Sequence, residues 1–247
     1  MNRLITQTAF VDSGADGKLK LTSAMNYMMN CCQFQEYQEP GFCQYLQEQG
    51  IAVFLHSIQL DLYRMPNYRE TVETTVKIYD CRPLYGLRRI VIRDEAGKIC
   101  IMANATGAFF SLSEKKAVKV DPAGFKVQFD TPEPMECLPR KIPVPDTPGE
   151  TTPDYPVMPS RLDPNGHLTS PEYIAVAQDR LPEDFVFNRV RIEYKKQSCR
   201  GEILKTRLFR SDPGRIVAVI QGEDETTRAV VEFSRAELPP APDDFKA

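Results

Sequence analysis

An α+β protein built from two similar halves is what this sequence predicts, and three observations carry the expectation. A helical pattern running from residue 22 to Glu39 gives way to strands of period two from Ile51 onward. The same order, helix and then strands, returns after residue 157. Between the two, residues 113–156 show poor periodicity, and ten of the chain's 20 prolines fall between Pro122 and Pro159. Proline removes ladder donors and disfavours helix, so this stretch reads as an extended linker crossing a surface rather than as sheet. A helix followed by antiparallel strands is an α+β unit, and here it occurs twice.

Taken in order, residues 2–11 alternate loosely and predict a short strand entering the turn Asp12 to Gly17. Thr22 or Ser23 is placed to cap the first helix, in which Ala24, Tyr27, Met28, Cys31 and Phe34 recur at helical spacing. Pro40-Gly41 ends it, and a second short helix closes at Gly50, a natural residue just past a helix end. Ile58, Leu60 and Leu62 then alternate with Gln59, Asp61 and Tyr63, and His56 reads as a strand residue at the sheet surface. Further strands are expected at 70–80, 84–94 and 98–112, with Asp94 to Gly97 as a hairpin turn. In the second half a helix is expected to about Arg180, followed by strands near 186–197, 202–211, 214–222 and 226–234.

The halves match in sequence as well as in order. Asp163 to Ser170 can be laid over Asp16 to Ser23, with Leu168-Thr169-Ser170 on Leu21-Thr22-Ser23. Ile58 to Glu70 lies over Val190 to Glu202 without a gap, pairing Asp61 with Glu193, Arg64 with Lys196 and Glu70 with Glu202. Two matches in the same order read as an internal duplication. In that alignment Lys18 and Lys20 lie opposite Asn165 and His167, so any chemistry sits in the second copy. The division expected is 1–112 for the first half, 113–156 for the linker, 157–236 for the second half and 237–247 for a tail.

Composition excludes several classes. In 247 residues, 42% are hydrophobic and 26% charged, with a net charge of −3, which suits a globular protein and gives no pull toward nucleic acid. No apolar run approaches the ~18 residues a membrane span needs, and the first residues lack a signal-peptide core. Seven cysteines without a CxxC pair or other metal spacing point to a reducing cytoplasm. No metal and no dissociable cofactor is expected.

Chemistry concentrates at Asp163, Asn165 and His167, which bring an acid, a carboxamide and an imidazole to alternate positions. Behind them Thr169 or Ser170 is set to cap a helix, with Pro171 first inside and Glu172 in its first turn. The unpaired N–H groups of that turn are expected to point toward the loop, where an oxyanion or polarised carbonyl would be held. Asp-Pro-Asn-Gly is also an ordinary turn sequence, and a turn before a capped helix needs no function.

The stretch Asp163-Pro-Asn-Gly-His-Leu-Thr-Ser-Pro-Glu-Tyr173 resembles the acyl-ACP thioesterase motif, an Asp-x-Asn-x-His followed by a short polar stretch and Tyr. Ile192-Glu-Tyr-Lys-Lys-Gln-Ser198 is similar to that family's second signature, of the form Leu-Glu-Tyr-Arg-Arg-Glu-Cys. With the duplication, the resemblance implies a tandem (double) hotdog, two long helices each wrapped by an antiparallel sheet. It implies hydrolysis of a fatty acyl thioester on acyl carrier protein, with Asp163, Asn165 and His167 as the first catalytic group. Where plant members carry Glu this chain has Gln197, and Ser198 stands where they carry Cys. A glutamine orients water but accepts no proton at neutral pH, so Asp163 becomes the base or nucleophile. A Cys199–His167 nucleophilic pair is the alternative, against the plainer reading of a thiol near a turn. The resemblance also implies an acyl chain housed in the first half, where Tyr27, Met28, Cys31 and Phe34 either line a tunnel or form ordinary core. Lys195, Lys196 and Arg200 either face solvent or give an acidic carrier protein its landing surface. A non-hydrolytic acyl-binding module is the rival reading; monomer against homodimer stays open.

Overall fold

The computed structural model describes residues 2–38, 40–125 and 128–242. Its described residues fall into two compact units, one of 2–56, 62–137 and 238–242, the other of 57–61 and 138–237. Both consist of antiparallel sheet with few helices.

The first unit begins with β1 (Asn2–Gln7), followed by α1 (Leu21–Gln38) and α2 (Pro40–Glu48). Strands β2 (Ile51–Leu62), β3 (Thr71–Arg82), β4 (Tyr85–Asp94) and β5 (Ile99–Ser111) follow, each near its expected place. The strand order is β1-β3-β4-β5-β2. Helix α1 starts at Leu21, so Thr22 and Ser23 lie inside its first turn instead of capping it. The Ala24 N–H already donates to the Lys20 carbonyl. The expected helix end at Glu39 lies outside the described residues. Ala24, Met28 and Cys31 are buried, but Phe34 is 49% exposed and Gln35 takes the inward position. The spacing 24, 28, 31, 35 explains this, because 35 continues the four-three-four rhythm of one helix face and 34 sits on its flank.

In the second unit β7 (Glu150–Thr151) and β8 (Tyr155–Pro156) precede α3 (Ser170–Gln178). Then come β9 (Arg189–Tyr194), β10 (Ile203–Asp212), β11 (Arg215–Gln221) and β12 (Thr227–Ser234), in the order β9-β12-β11-β10-β7. Residues Ser57–Asp61 pair with β9, setting Ile58 opposite Ile192 and Leu60 opposite Val190. These apolar residues face the core as the alternation predicts.

The polar alternates are buried as well. Gln59, Asp61, Arg189, Arg191, Glu193 and Glu232 share this fate, and the proline-rich segment bonds to three of them. Gln59 accepts the Leu138 N–H at 3.0 Å, Arg191 donates to the Pro139 carbonyl, and Glu193 accepts the Ile142 N–H. Asp61 and Arg189 form a two-pronged pair at 2.6 and 2.8 Å. The linker is therefore more than a surface crossing. Ile142 is 3% exposed and packs with Phe209, Val217, Val219 and Val230. It also contributes sheet where none was expected: β6 (Lys116–Ala117) pairs with β5, and β7 and β8 pair with β10. An open strand edge offers unpaired N–H and C=O groups, and any extended segment passing close will bond to it. Of the tail, Ala241 packs on Val91, Ile99 and Met102, and residues beyond 242 lie outside the described residues.

Candidate active site

The loop before α3 is a closed hairpin. Asp163 N–H donates to the His167 carbonyl at 2.7 Å, Gly166 N–H to the Asp163 carbonyl at 2.9 Å, and Leu162 bridges Leu168. Gly166 holds φ +80°, a conformation that disfavours any residue with a Cβ. Inside the loop Asp163 Oδ1 accepts two backbone N–H groups, from Asn165 at 2.8 Å and from His167 at 3.0 Å. The carboxylate thus organises the turn with one oxygen and keeps Oδ2 unengaged among the described residues. Asn165 is exposed, while His167 is half-buried, with Nδ1 enclosed and unpartnered. An enclosed ring nitrogen with no protein partner is costly unless a water or ligand meets it.

Cys199 is bridged directly to His167, and Leu168 N–H donates to the Ser198 carbonyl at 2.8 Å. The segment following β9 is thereby sewn to the loop, and Gln197, exposed, lies two residues before Cys199. All four expected catalytic residues sit on these two adjoining segments. Cys199 is an exposed free thiol. Thr169 is the α3 N-cap as expected, without a side-chain cap bond. The oxyanion role expected of the first turn is weakened: Thr169 N–H is taken by the Arg161 carbonyl, Glu172 N–H by the Thr169 carbonyl, and Pro171 has none.

The first half shows the same construction without the chemistry, and it corrects the register read from sequence. Gly14 N–H donates to the Lys18 carbonyl, Gly17 N–H to the Gly14 carbonyl, and Gly17 holds φ +72°. Lys20 N–H reaches the Asp12 carbonyl as Thr169 N–H reaches Arg161. Asp163 therefore corresponds to Gly14, Asn165 to Asp16 and His167 to Lys18, two residues away from the alignment on acids. The second match holds without a gap. Leu19 N–H donates to the Pro66 carbonyl at 2.8 Å as Leu168 N–H does to Ser198, and Lys18 bridges Asn67 as His167 bridges Cys199. Glu202 accepts the Cys199 N–H at 3.1 Å and pairs with Arg228, as Glu70 accepts the Asn67 N–H at 2.8 Å and pairs with Arg64. An acid present in both copies supports the turn rather than the reaction.

Two residues at the site escaped the sequence reading as a pair. Tyr173 OH lies 3.0 Å from Ser198 Oγ and accepts the Ser198 N–H at 3.0 Å. Burial, the largest influence, pushes the Tyr173 phenol above its usual range. The available signal was Tyr173 in the motif and Ser198 at the family's Cys position.

Among the other expected residues, Lys195 pairs with Glu193 at 2.5 Å and Lys196 with Asp224 at 3.0 Å, while Arg200 is exposed. In the first unit Met28 and Cys31 are fully buried, and Tyr27 donates to Asp12 at 2.7 Å. None of Tyr27, Met28, Cys31 and Phe34 lines the apolar cleft found there, a narrow space of about 20 Å³. Its walls include Phe42, Val53, Ile78, Gly107 and Phe109. For a metal, the described residues offer one cluster, Glu70, Asp94 and Cys100. Arg64 already sits on both carboxylates, 3.0 Å from Glu70 Oε2 and 2.8 Å from Asp94, and burial pushes the Cys100 thiol up to about 12. One guanidinium offsets one of the two carboxylate charges and occupies oxygens that a metal would need.

The chain resembles the acyl-ACP thioesterase of Bacteroides thetaiotaomicron, at 20% identity and TM-score 0.85 over 94% of this chain and 96% of that one. It also resembles the 12:0-ACP thioesterase of Umbellularia californica, at 13% identity and TM-score 0.79 over 96% of each. A comparison with curated protein sequences finds no match. Together the two structural likenesses give the fold, a hotdog-type arrangement of antiparallel sheet with few helices. Residues 5–125 match the family model described as the acyl-ACP thioesterase N-terminal domain.

Proposed function

We propose that the chain hydrolyses the thioester between a fatty acyl group and acyl carrier protein, in the cytoplasm, with two hotdog units in tandem and the reaction in the second. The observation that carries this reading is the closed loop holding Asp163, Asn165 and His167, present in one copy of the repeat and replaced by Gly14, Asp16 and Lys18 in the other. Water adds to the thioester carbonyl, the carbon–sulfur bond breaks, and the free acid and carrier thiol leave. Asp163 Oδ2 serves as base or nucleophile, since its other oxygen is committed to the turn. Asn165 and His167 position that carboxylate or polarise the thioester. Gln197 orients water without accepting its proton.

In this reading the acyl chain enters the first unit by widening its narrow apolar cleft, and Lys195, Lys196 and Arg200 meet the acidic carrier protein. The pairs with Glu193 and Asp224 neutralise part of that charge, leaving Arg200 as the most available cation. No cofactor takes part. The test is incubation of purified protein with a series of acyl-carrier thioesters, measuring free acid. Release across some window of chain length supports the proposal; acyl binding without release favours the acyl-binding module.

A further inference from the structure

We propose that the buried Tyr173–Ser198 pair positions the proposed site, locking the segment that carries Gln197 and Cys199 against the one that carries His167; the inference rests on the function proposed above. Tyr173 lies on α3 and is 3% exposed, and Ser198 is 0% exposed. The phenol engages Ser198 twice, by hydroxyl and by backbone N–H, each at 3.0 Å. Ser198 in turn accepts Leu168 N–H, and its neighbour Cys199 is bridged to His167. Tyr194 braces the tyrosine edge-to-face at 5.7 Å between ring centres, and its own hydroxyl donates to the Ser170 carbonyl at 3.0 Å. A short chain of contacts therefore runs from the helix to the backbone of His167.

The repeat supplies the control. In the first half Tyr173 corresponds to Ala24 and Ser198 to Pro66, yet Leu19 N–H still reaches the Pro66 carbonyl at 2.8 Å. The backbone arrangement forms there without tyrosine or serine. Burying two hydroxyls and an amide gains little net stability over an apolar solution, because each must be satisfied after losing water. The polar pair is kept in the one copy that bears the acid, carboxamide and imidazole. Positioning within fractions of an ångström explains that restriction, since a shift of about 1 Å at a reacting group costs roughly 100-fold in rate.

The experiment compares wild type with Tyr173→Phe, Ser198→Ala, their double variant, and the first-half solution Tyr173→Ala with Ser198→Pro. Activity is read as kcat and KM on acyl-carrier thioester. The chain has two histidines, His56 and His167, so NMR of the imidazoles follows His167 without turnover. We expect kcat to fall about 10- to 100-fold in Tyr173→Phe with KM within about twofold. The double variant should be no worse than the weaker single, and the His167 resonances should move. Ser198→Thr, which keeps the hydroxyl, should recover most of the loss. Wild-type kcat in folded Tyr173→Phe, or a lower Tm with unmoved His167 resonances, overturns the inference. If the first-half solution fails to fold, Tyr173→Phe alone decides. A wild type without thioesterase activity sinks the proposed function, and the His167 resonances still judge the positioning claim.

Discussion

Asp163 has two separable jobs, and paired substitutions pull them apart. Asp163→Asn keeps an Oδ1 able to accept the N–H groups of Asn165 and His167, now at 2.8 and 3.0 Å, and removes only the charge. Asp163→Ala removes both bonds. Charge-assisted bonds are about twice as strong as neutral ones, and the loop is partly solvated, so Asn should cost about 1 kcal/mol and Ala about 1–3 kcal/mol. Urea midpoints should therefore rank wild type, Asn, Ala. Activity should rank differently, because neither variant retains a carboxylate. Loss of a general base is worth about 10²–10⁴ in rate, or roughly 3–5 kcal/mol of barrier. Both variants should fall by that amount although only one disturbs the loop. Free fatty acid is the product to quantify, since exposed Cys137 and Cys199 would react with a thiol reagent. Asp163→Asn within a few-fold of wild-type kcat would refute the assignment, and inactive Cys199→Ser beside it would turn attention to the thiol.

The buried Asp61–Arg189 pair should be far more sensitive than surface pairs: Asp61→Ala removes the carboxylate that accepts two hydrogen bonds from a buried guanidinium and should cost about 3–5 kcal/mol by chemical denaturation. Gly107 lines the cleft, and a Cβ there would stand 2.6 Å from Val53 Cγ1, so Gly107→Ala should shift released acids toward shorter chains; an unchanged product profile in folded protein removes the cleft from the acyl path. Burial pushes the Glu133 carboxyl up, but hydrogen bonds from Arg93 and Lys77 outweigh it and hold the group below its ordinary 4.5. Its stabilisation is present above that value and lost as pH falls through the lower folded value, so Glu133→Gln should flatten the acid limb of a stability–pH curve. Charge reversal at Lys195 and Lys196 should raise KM for acyl-ACP and weaken its salt dependence, with acyl-CoA little affected.

The helices, the long strands and the closed loop were legible because each announces itself by local period or by turn chemistry. The sheet's second face was not. Gln59, Asp61, Arg191 and Glu193 look like solvent positions in any alternating strand, and only a covering segment with poor periodicity makes them buried. The Tyr173–Ser198 bond was invisible for another reason: a tyrosine inside a helix and a serine after a strand each have an ordinary local explanation, and their meeting depends on the fold.

The register of the repeat was missed by two residues for a physical reason that bears on the site itself. Aligning Asp16 with Asp163 assumes that like side chains mark like positions. In the structure the constant features are Gly17 and Gly166, at φ +72° and +80°, and Leu19 and Leu168, both buried against the core. Backbone conformation and burial hold those positions fixed, whereas an acid in an exposed turn is free to sit wherever its oxygen can accept a nearby N–H. Asp16 does so for Lys18 at 3.0 Å, and Asp163 does so for Asn165 and His167 from two places earlier in the turn. That displacement puts the second-half carboxylate at the base of the hairpin, where it organises the loop with one oxygen and still offers the other. A copy with its acid at the tip, as in the first half, closes the same turn and has neither carboxamide nor imidazole for a carboxylate to work with.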